Sequence, residues 1–155
     1  MAKTAGPSAT ALSPYLIVQG AKRAIDFYCR IFGARELYRL CEPGSDRLGH
    51  AELELGETRL MLADEYPDFG ALSPTTVGGS PVTLHLYVPD VDQTVQQASD
   101  AGATVLRPVK DEFFGDRTSL LVDPFGHRWR VATRKEEVSP EEMQRRWDAS
   151  MAAGS

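Results

Sequence analysis

Tyr15-Leu16-Ile17-Val18-Gln19-Gly20 runs into Ala21-Lys22-Arg23-Ala24-Ile25-Asp26-Phe27-Tyr28-Cys29-Arg30-Ile31-Phe32 and stops at Gly33-Ala34. Tyr15–Val18 is apolar and suits a short strand, which Gly20 ends. Beyond it Ala24, Ile25, Phe27, Tyr28, Ile31 and Phe32 recur at three- and four-residue steps, so a helix over Ala21–Phe32 has one apolar stripe with Lys22, Arg23, Asp26 and Arg30 outside. Gly33 stands where a helix C-cap belongs. Three strand-like runs follow, Glu36–Cys41, Gly49–Leu55 and Thr58–Ala63, the last two joined by a tight turn at Gly56-Glu57. In the middle run Ala51, Leu53 and Leu55 alternate with His50, Glu52 and Glu54, giving one apolar and one polar face. The order is βαβββ.

The same order returns further on. Val82–Val88 reads as a strand and Val91–Ala101 as a helix with Val91, Val95 and Ala98 on one side and Gly102-Ala103 as its stop. Thr104–Val109, Thr118–Val122 and Arg128–Thr133 are further strands, with the turn Asp123-Pro124-Phe125-Gly126 before the last. Laid together at an offset of about 70 with one gap, Val18 falls on Val88 and Gly33-Ala34 on Gly102-Ala103, a repeat that tests the whole order of elements at once. The expected organisation is a mobile lead over 1–12, a first module over 13–65, a linker over 66–81, a second module over 82–134 and a C-terminal helix and tail over 135–155. In that tail Ser139 is a good N-cap, Pro140 suits the first helical position and Glu142 completes a capping box, so a helix to about Ser150 is expected, clasping a surface with Met143, Trp147 and Met151.

Composition bounds the function. The 155 residues suit one domain or two half-size modules sharing a core, and 42% hydrophobic with 25% charged residues is ordinary for a globular protein. A net charge of −5 without a long basic run argues against nucleic acid. No run approaches the roughly 20 apolar residues of a membrane span, and the N-terminal stretch lacks a signal-peptide core, so no membrane partner and a cytoplasmic location are expected. Cys29 and Cys41 have no CxxC spacing, and a disulfide between them is not expected in the cytosol.

A duplicated βαβββ unit, with Ala24-Ile25-Asp26-Phe27-Tyr28 and Asp123-Pro124-Phe125-Gly126-His127, resembles the vicinal-oxygen-chelate superfamily (glyoxalase/bleomycin-resistance/dioxygenase) over roughly 13–133. Val82–Val88, Phe114-Gly115-Asp116-Arg117 and Glu136–Arg145 resemble its PhnB-like branch. The resemblance implies an α+β fold of two βαβββ modules whose sheets form facing half-cups around a cavity, plus the C-terminal helix. It also implies, for the metal enzymes of the superfamily, His, Gln or Glu on the first and last strands of each module, converging on one divalent ion. Carried over residue by residue, those positions hold Ser13, Leu60 (Met61 if the turn differs by one residue), Thr83 and Arg130. None is a competent ligand, and a guanidinium repels a metal ion. No metal site and no cofactor are therefore expected.

Strand alternation places Ser13, Tyr15 and Ile17 on the cavity side of the first strand, and Thr83, His85 and Tyr87 on that of its counterpart. It turns Arg128 and Arg130 inward on the last strand, while Trp129 packs under the helix layer. Candidate catalytic residues are His85, as acid/base, and Arg130, as the cation for an anionic or carbonyl group. Candidate ligand-binding residues are Tyr15, His50, Glu52, Thr83, Tyr87 and Arg128. Each has a plainer reading: His85 as a core histidine, the tyrosines as packing, His50 and Glu52 as a solvated strand face, His127 as a tie for its turn. Asp116-Arg117 either positions substrate or forms a salt bridge that orders its loop, and Asp64–Ser80, with Tyr66 and Phe69, is either a lid or a connector.

The reading favoured is a small-molecule binder resembling the drug-sequestering members of the superfamily. The alternative is a glyoxalase-like lyase, isomerase or dioxygenase, with a relocated divalent metal on His50, Glu52 and His85 or with metal-free His85 chemistry. A homodimer is expected from the open sheet edges and the amphipathic tail helix.

Overall fold

A computed structural model describes residues 9–154. The lead read over 1–12 thus lies mostly outside the described residues. The chain divides between Ser73 and Pro74 into two compact units, each an α+β module on its own sheet.

The first unit contains β1 (Tyr15–Val18), α1 (Ala21–Phe32), β2 (Arg35–Cys41), β3 (Leu48–Leu55) and β4 (Thr58–Asp64), in the sheet order β1-β4-β3-β2. β1 lies parallel to β4, as a helical crossover requires, while β2, β3 and β4 form an antiparallel meander. Leu16, Val18, Ala51, Leu53, Leu60 and Leu62 are buried with Ala24, Ile25 and Tyr28 of α1, which packs on β2, β3 and β4. The apolar stripe and the strand alternation read from the sequence meet in this core. Gly33 closes α1 at φ 78°, and the Ala34 N–H donates to the Tyr28 carbonyl at 3.1 Å.

The helix starts from Gly20, at φ 94°, without a side-chain cap of its own. Asp64, at the end of β4, supplies the acceptor. Its Oδ1 takes the N–H groups of Gly20 (2.9 Å) and Ala21 (2.8 Å), and its Oδ2 takes that of Leu48 (2.7 Å). One buried carboxylate thus ties the starts of α1 and β3 to the end of β4, its charge at the positive end of the helix.

The second unit contains α2 (Pro74–Val77), β5 (Thr83–Tyr87), α3 (Val91–Asp100), β6 (Thr104–Asp111), β7 (Asp116–Val122), β8 (Arg128–Arg134) and α4 (Pro140–Ala153), in the order β5-β8-β7-β6. β5 is parallel to β8 and the rest antiparallel, repeating the first sheet. Val91, Val95 and Ala98 of α3 are buried with Leu121, Trp129 and Val131. Asp123 orders the turn into β8: it accepts from the N–H of Phe125 (2.8 Å) and His127 (3.0 Å) and from the Trp129 indole (2.8 Å).

Some boundaries differ from the expectation. The 66–81 stretch is not featureless: it holds a turn of 3₁₀ helix at Pro67–Phe69, a bridge between Tyr66 and Ala71, and α2. β7 begins at Asp116 because Gly115, at φ 97°, completes the turn just before it and Asp116 pairs with Arg134. The C-terminal helix, capped by Ser139 as expected, runs on to Ala153. Its Arg146 donates to the Phe113 carbonyl (3.0 Å) and pairs with Glu136 (2.6 Å), while Trp147 stands 5.4 Å from the Phe113 ring. Cys29 and Cys41 are free thiols.

Candidate functional site

Each sheet has one face under a helix and one open face, and the open faces carry the polar side chains. On the second sheet the pairings set out three rows across β5, β8 and β7: Thr83, Arg128 and Val122; His85, Arg130 and Leu120; Tyr87, Ala132 and Thr118. Thr83, His85, Tyr87, Arg128 and Arg130 therefore share a face, with Trp129 buried on the other.

Asp116 organises one end of this face. Its Oδ2 accepts from the Tyr87 hydroxyl at 2.7 Å and its Oδ1 from Arg134 Nε at 2.8 Å, while Arg134 Nη2 also donates to the Tyr87 oxygen at 2.9 Å. The Asp116 charge is thus consumed within the cluster, and the salt-bridge reading of Asp116-Arg117 takes the form of separate ion pairs: Asp116 with Arg134, and Arg117 with Asp92 and Asp111. Arg128 and Arg130 are different. Both are half-buried, yet among the described residues neither guanidinium has a hydrogen bond or an ion pair. His85 stands beside Arg130 in register, with its ring 4.8 Å from that of Tyr87. Burial, then Arg130, pushes the His85 imidazole below the ordinary histidine value of 6.5; Asp116 opposes this and Arg134 adds to it.

On the first sheet Tyr15, Met61, Glu52 and Tyr38 form one row across β1, β4, β3 and β2. The Tyr15 hydroxyl lies 2.8 Å from His50 Nδ1, and His50 Nε2 lies 3.1 Å from Glu52 Oε2. Tyr38 donates to the same carboxylate oxygen, and Arg59 reaches Oε1 at 3.3 Å. These hydrogen bonds hold the Glu52 carboxyl below the usual range, Tyr38 first and then His50. Burial, then the Glu52 charge, raises the Tyr15 phenol, so it stays protonated at neutral pH. Tyr15, Ile17, Gly49, Ala63, Tyr66 and Phe69 are among the residues around a hollow of about 470 Å³.

The registers correct one position. Tyr15 opposite Met61 in the first sheet matches His85 opposite Arg130 in the second, so the counterpart of Arg130 is Met61, and Leu60 is a core residue. Leu60 points under α1 because the alternation of β4 buries Leu60 and Leu62 together. Ser13 lies just ahead of β1, half-buried. The positions the resemblance assigns to a metal thus hold two hydroxyls, a thioether and a guanidinium. Among the described residues no group of three or more His, Cys, Asp or Glu side chains is placed to hold a metal ion. Ser13, Met61, Thr83 and Arg130 do not fit a divalent ion.

Tyr38, Arg59, Asp116 and Arg134 were missed as members of the two clusters. Asp116 and Arg134 sit at strand ends, where ±2-residue boundary errors hide facing, and Tyr38 follows an irregularity in the β2 register that breaks simple alternation.

The model of the Glyoxalase/Bleomycin resistance protein/Dioxygenase superfamily matches residues 9–131. "Uncharacterized protein Rv0887c" of Mycobacterium tuberculosis is 45% identical over 138 residues, covering 86% of this chain and 80% of that protein. Among solved structures, TioX from Micromonospora sp. ML1 is 26% identical with a TM-score of 0.61, over 81% of this chain and 99% of that one. A PhnB protein from Bacillus cereus, 17% identical, shares the fold with a TM-score of 0.65, over 80% of this chain and 99% of that one.

Proposed function

We propose, because the chain belongs to the Glyoxalase/Bleomycin resistance protein/Dioxygenase superfamily, that it is a binding protein that holds a small organic anion on the open face of its second sheet, without a metal ion. The observation that carries this reading is that, among the described residues, Arg128 and Arg130 are unpaired, both half-buried on the face that carries His85 and Tyr87. A half-buried guanidinium with no partner has lost hydration without replacement, and a carboxylate, sulfonate or phosphonate restores it with charge-assisted hydrogen bonds. Tyr87 offers an aromatic surface next to that charge, the usual mix of a small-molecule site.

Naphthalene-2-sulfonate, whose charge does not change near neutral pH, is a suitable probe. Arg130→Ala is expected to weaken its binding by about tenfold to a hundredfold, the loss of a charged hydrogen bond. Isothermal titration calorimetry reads this directly. Equal affinity in the wild type and the variant would remove Arg130 from the site and the reading with it.

His85 makes a second expected result. Its imidazole is held below the ordinary value of 6.5, so it is neutral at pH 7, and a bound anion favours the protonated ring. The anion binds the protonated form better, so affinity rises as pH falls through and below the histidine range. The other groups facing His85 are Arg130, Arg134, Asp116 and Tyr87. If the anion raises the His85 pKa by about one unit, the gain reaches about tenfold. In His85→Gln the profile should be flat; a slope that persists there assigns the proton elsewhere.

A further inference from the structure

The first sheet carries a feature that this reading does not use. The hollow of about 470 Å³ is lined by Ile17, Ala63, Ala71 and Phe69, with Tyr15, Tyr66 and Asp64 as its polar members. Asp64 is engaged by its three backbone donors. The Tyr66 ring is set by the Arg47 guanidinium 4.6 Å from its centroid and stands 6.5 Å from Phe69. Tyr15 is the polar member that belongs to a longer chain of hydrogen bonds.

That chain determines which way the Tyr15 hydroxyl works. An ionised Glu52 only accepts, and it takes Tyr38 O–H, Arg59 Nη1–H and His50 Nε2–H. With Nε2 committed as the donor, a neutral imidazole has Nδ1 as its acceptor, and Nδ1 lies 2.8 Å from the Tyr15 oxygen. The one proton of Tyr15 is therefore given to His50. Tyr15 lines the hollow, and with its proton given to His50 its oxygen has only lone pairs left for a further partner, so it serves as an acceptor, although a phenol elsewhere can play either part.

We propose that the hollow beside Tyr15 is a second ligand site, which takes an aromatic molecule carrying a hydroxyl or N–H group and receives that group's hydrogen bond on the Tyr15 oxygen. Ile17, Tyr66 and Phe69 contact the ring of the ligand. Glu52 and His50 are positioning residues that hold Tyr15 in its acceptor state, and methyl ethers or ketones of the same shape are discriminated against because they have no proton to give. The site lies within the first unit and stands independently of the anion reading.

The test compares 2-naphthol with 2-methoxynaphthalene by calorimetry on the whole protein at mildly alkaline pH, where imidazoles are neutral. The wild type should prefer the naphthol by about tenfold, the worth of one hydrogen bond. Tyr15→Phe should bring the ratio to about one while the ether binds as before, because only the acceptor is lost. His50→Leu should also lower the ratio, since it frees the Tyr15 proton to face the hollow. Tyr66→Phe should leave the ratio unchanged, and Phe69→Ala should weaken both compounds alike. Melting curves report whether each variant folds, and Arg130→Ala should keep the preference even if it loses the sulfonate. No preference in the wild type, or a preference surviving in Tyr15→Phe, overturns the acceptor role. Failure of both compounds to bind at millimolar concentration overturns the site itself.

Discussion

Replacing Asp64 by Ala is expected to remove on the order of 3 to 5 kcal/mol of stability, because three backbone donors lose their acceptor together. Gly20 N–H, Ala21 N–H and Leu48 N–H all point at this one carboxylate. Ala21 and Leu48 are fully buried, at 0% exposure, so water cannot take the place of the lost oxygens without opening the core. The start of α1 also loses the negative charge that complements its dipole. Against a total of about 5 to 15 kcal/mol for an ordinary domain this is a large share. Urea titration followed by circular dichroism would show it as a lower midpoint with an unchanged slope. Asp64→Asn keeps one acceptor oxygen but turns an NH₂ toward a donor, so it should fall between the wild type and Ala. A loss of less than about 1 kcal/mol in the alanine variant would mean that the turn at Gly20 and the α1 packing suffice alone.

The second large effect is expected at Gly115. Its φ of 97° is unfavourable for any side chain, and a Cβ there would sit 2.2 Å from the Glu136 carbonyl oxygen and 2.9 Å from Val138 Cγ2. The obstacle is backbone and is held in place, since the N–H groups of Lys135 (2.9 Å) and Glu136 (3.0 Å) both donate to the Gly115 carbonyl. Gly115→Ala must push this segment away and break those bonds, at a cost of about 3 kcal/mol or more. Gly56 is the control: it also has positive φ, 59°, but nothing lies within 4 Å of its Cβ position. Gly56→Ala should therefore cost only about 1 to 2 kcal/mol of backbone strain. Equal losses in the two variants would show that the 135–136 segment yields freely. Because Asp116 and Arg134 flank the same contact, Gly115→Ala should also disturb the Tyr87–Asp116–Arg134 cluster, seen as faster amide exchange at Arg134 and Lys135.

The elements were legible because their signals are local. The stripe of Ala24, Ile25, Tyr28 and Phe32 buries as a helix face, and Leu53 and Ala51 bury as a strand face, at the periods the sequence displays. The two-residue alternation also identified which side chains of β5 and β8 share a face, including Arg130 with His85. The position paired with Tyr15 was not legible. One residue of uncertainty in the Gly56-Glu57 turn exchanges Leu60 for Met61, and a single-residue slip turns a strand over. The order inside 66–81 escaped as well, because Pro, Gly and Ser mark turns without stating where they fold back.

By itself, the sequence determined the repeated βαβββ order, the fold class, the buried stripe of each helix and the face on which the polar residues stand, since all of these follow from periodicity along the chain. Only the tertiary structure decided which charges are paired. Arg134 is spent on Asp116 and Tyr87, and Arg117 on Asp92 and Asp111, while Arg128 and Arg130 have no partner among the described residues. The contacts that link Tyr15, His50 and Glu52 were decided in the same way. The physical reason is range: periodicity is set by neighbours a few residues away, whereas an ion pair or a hydrogen-bond direction depends on ångström distances between strands far apart in the chain.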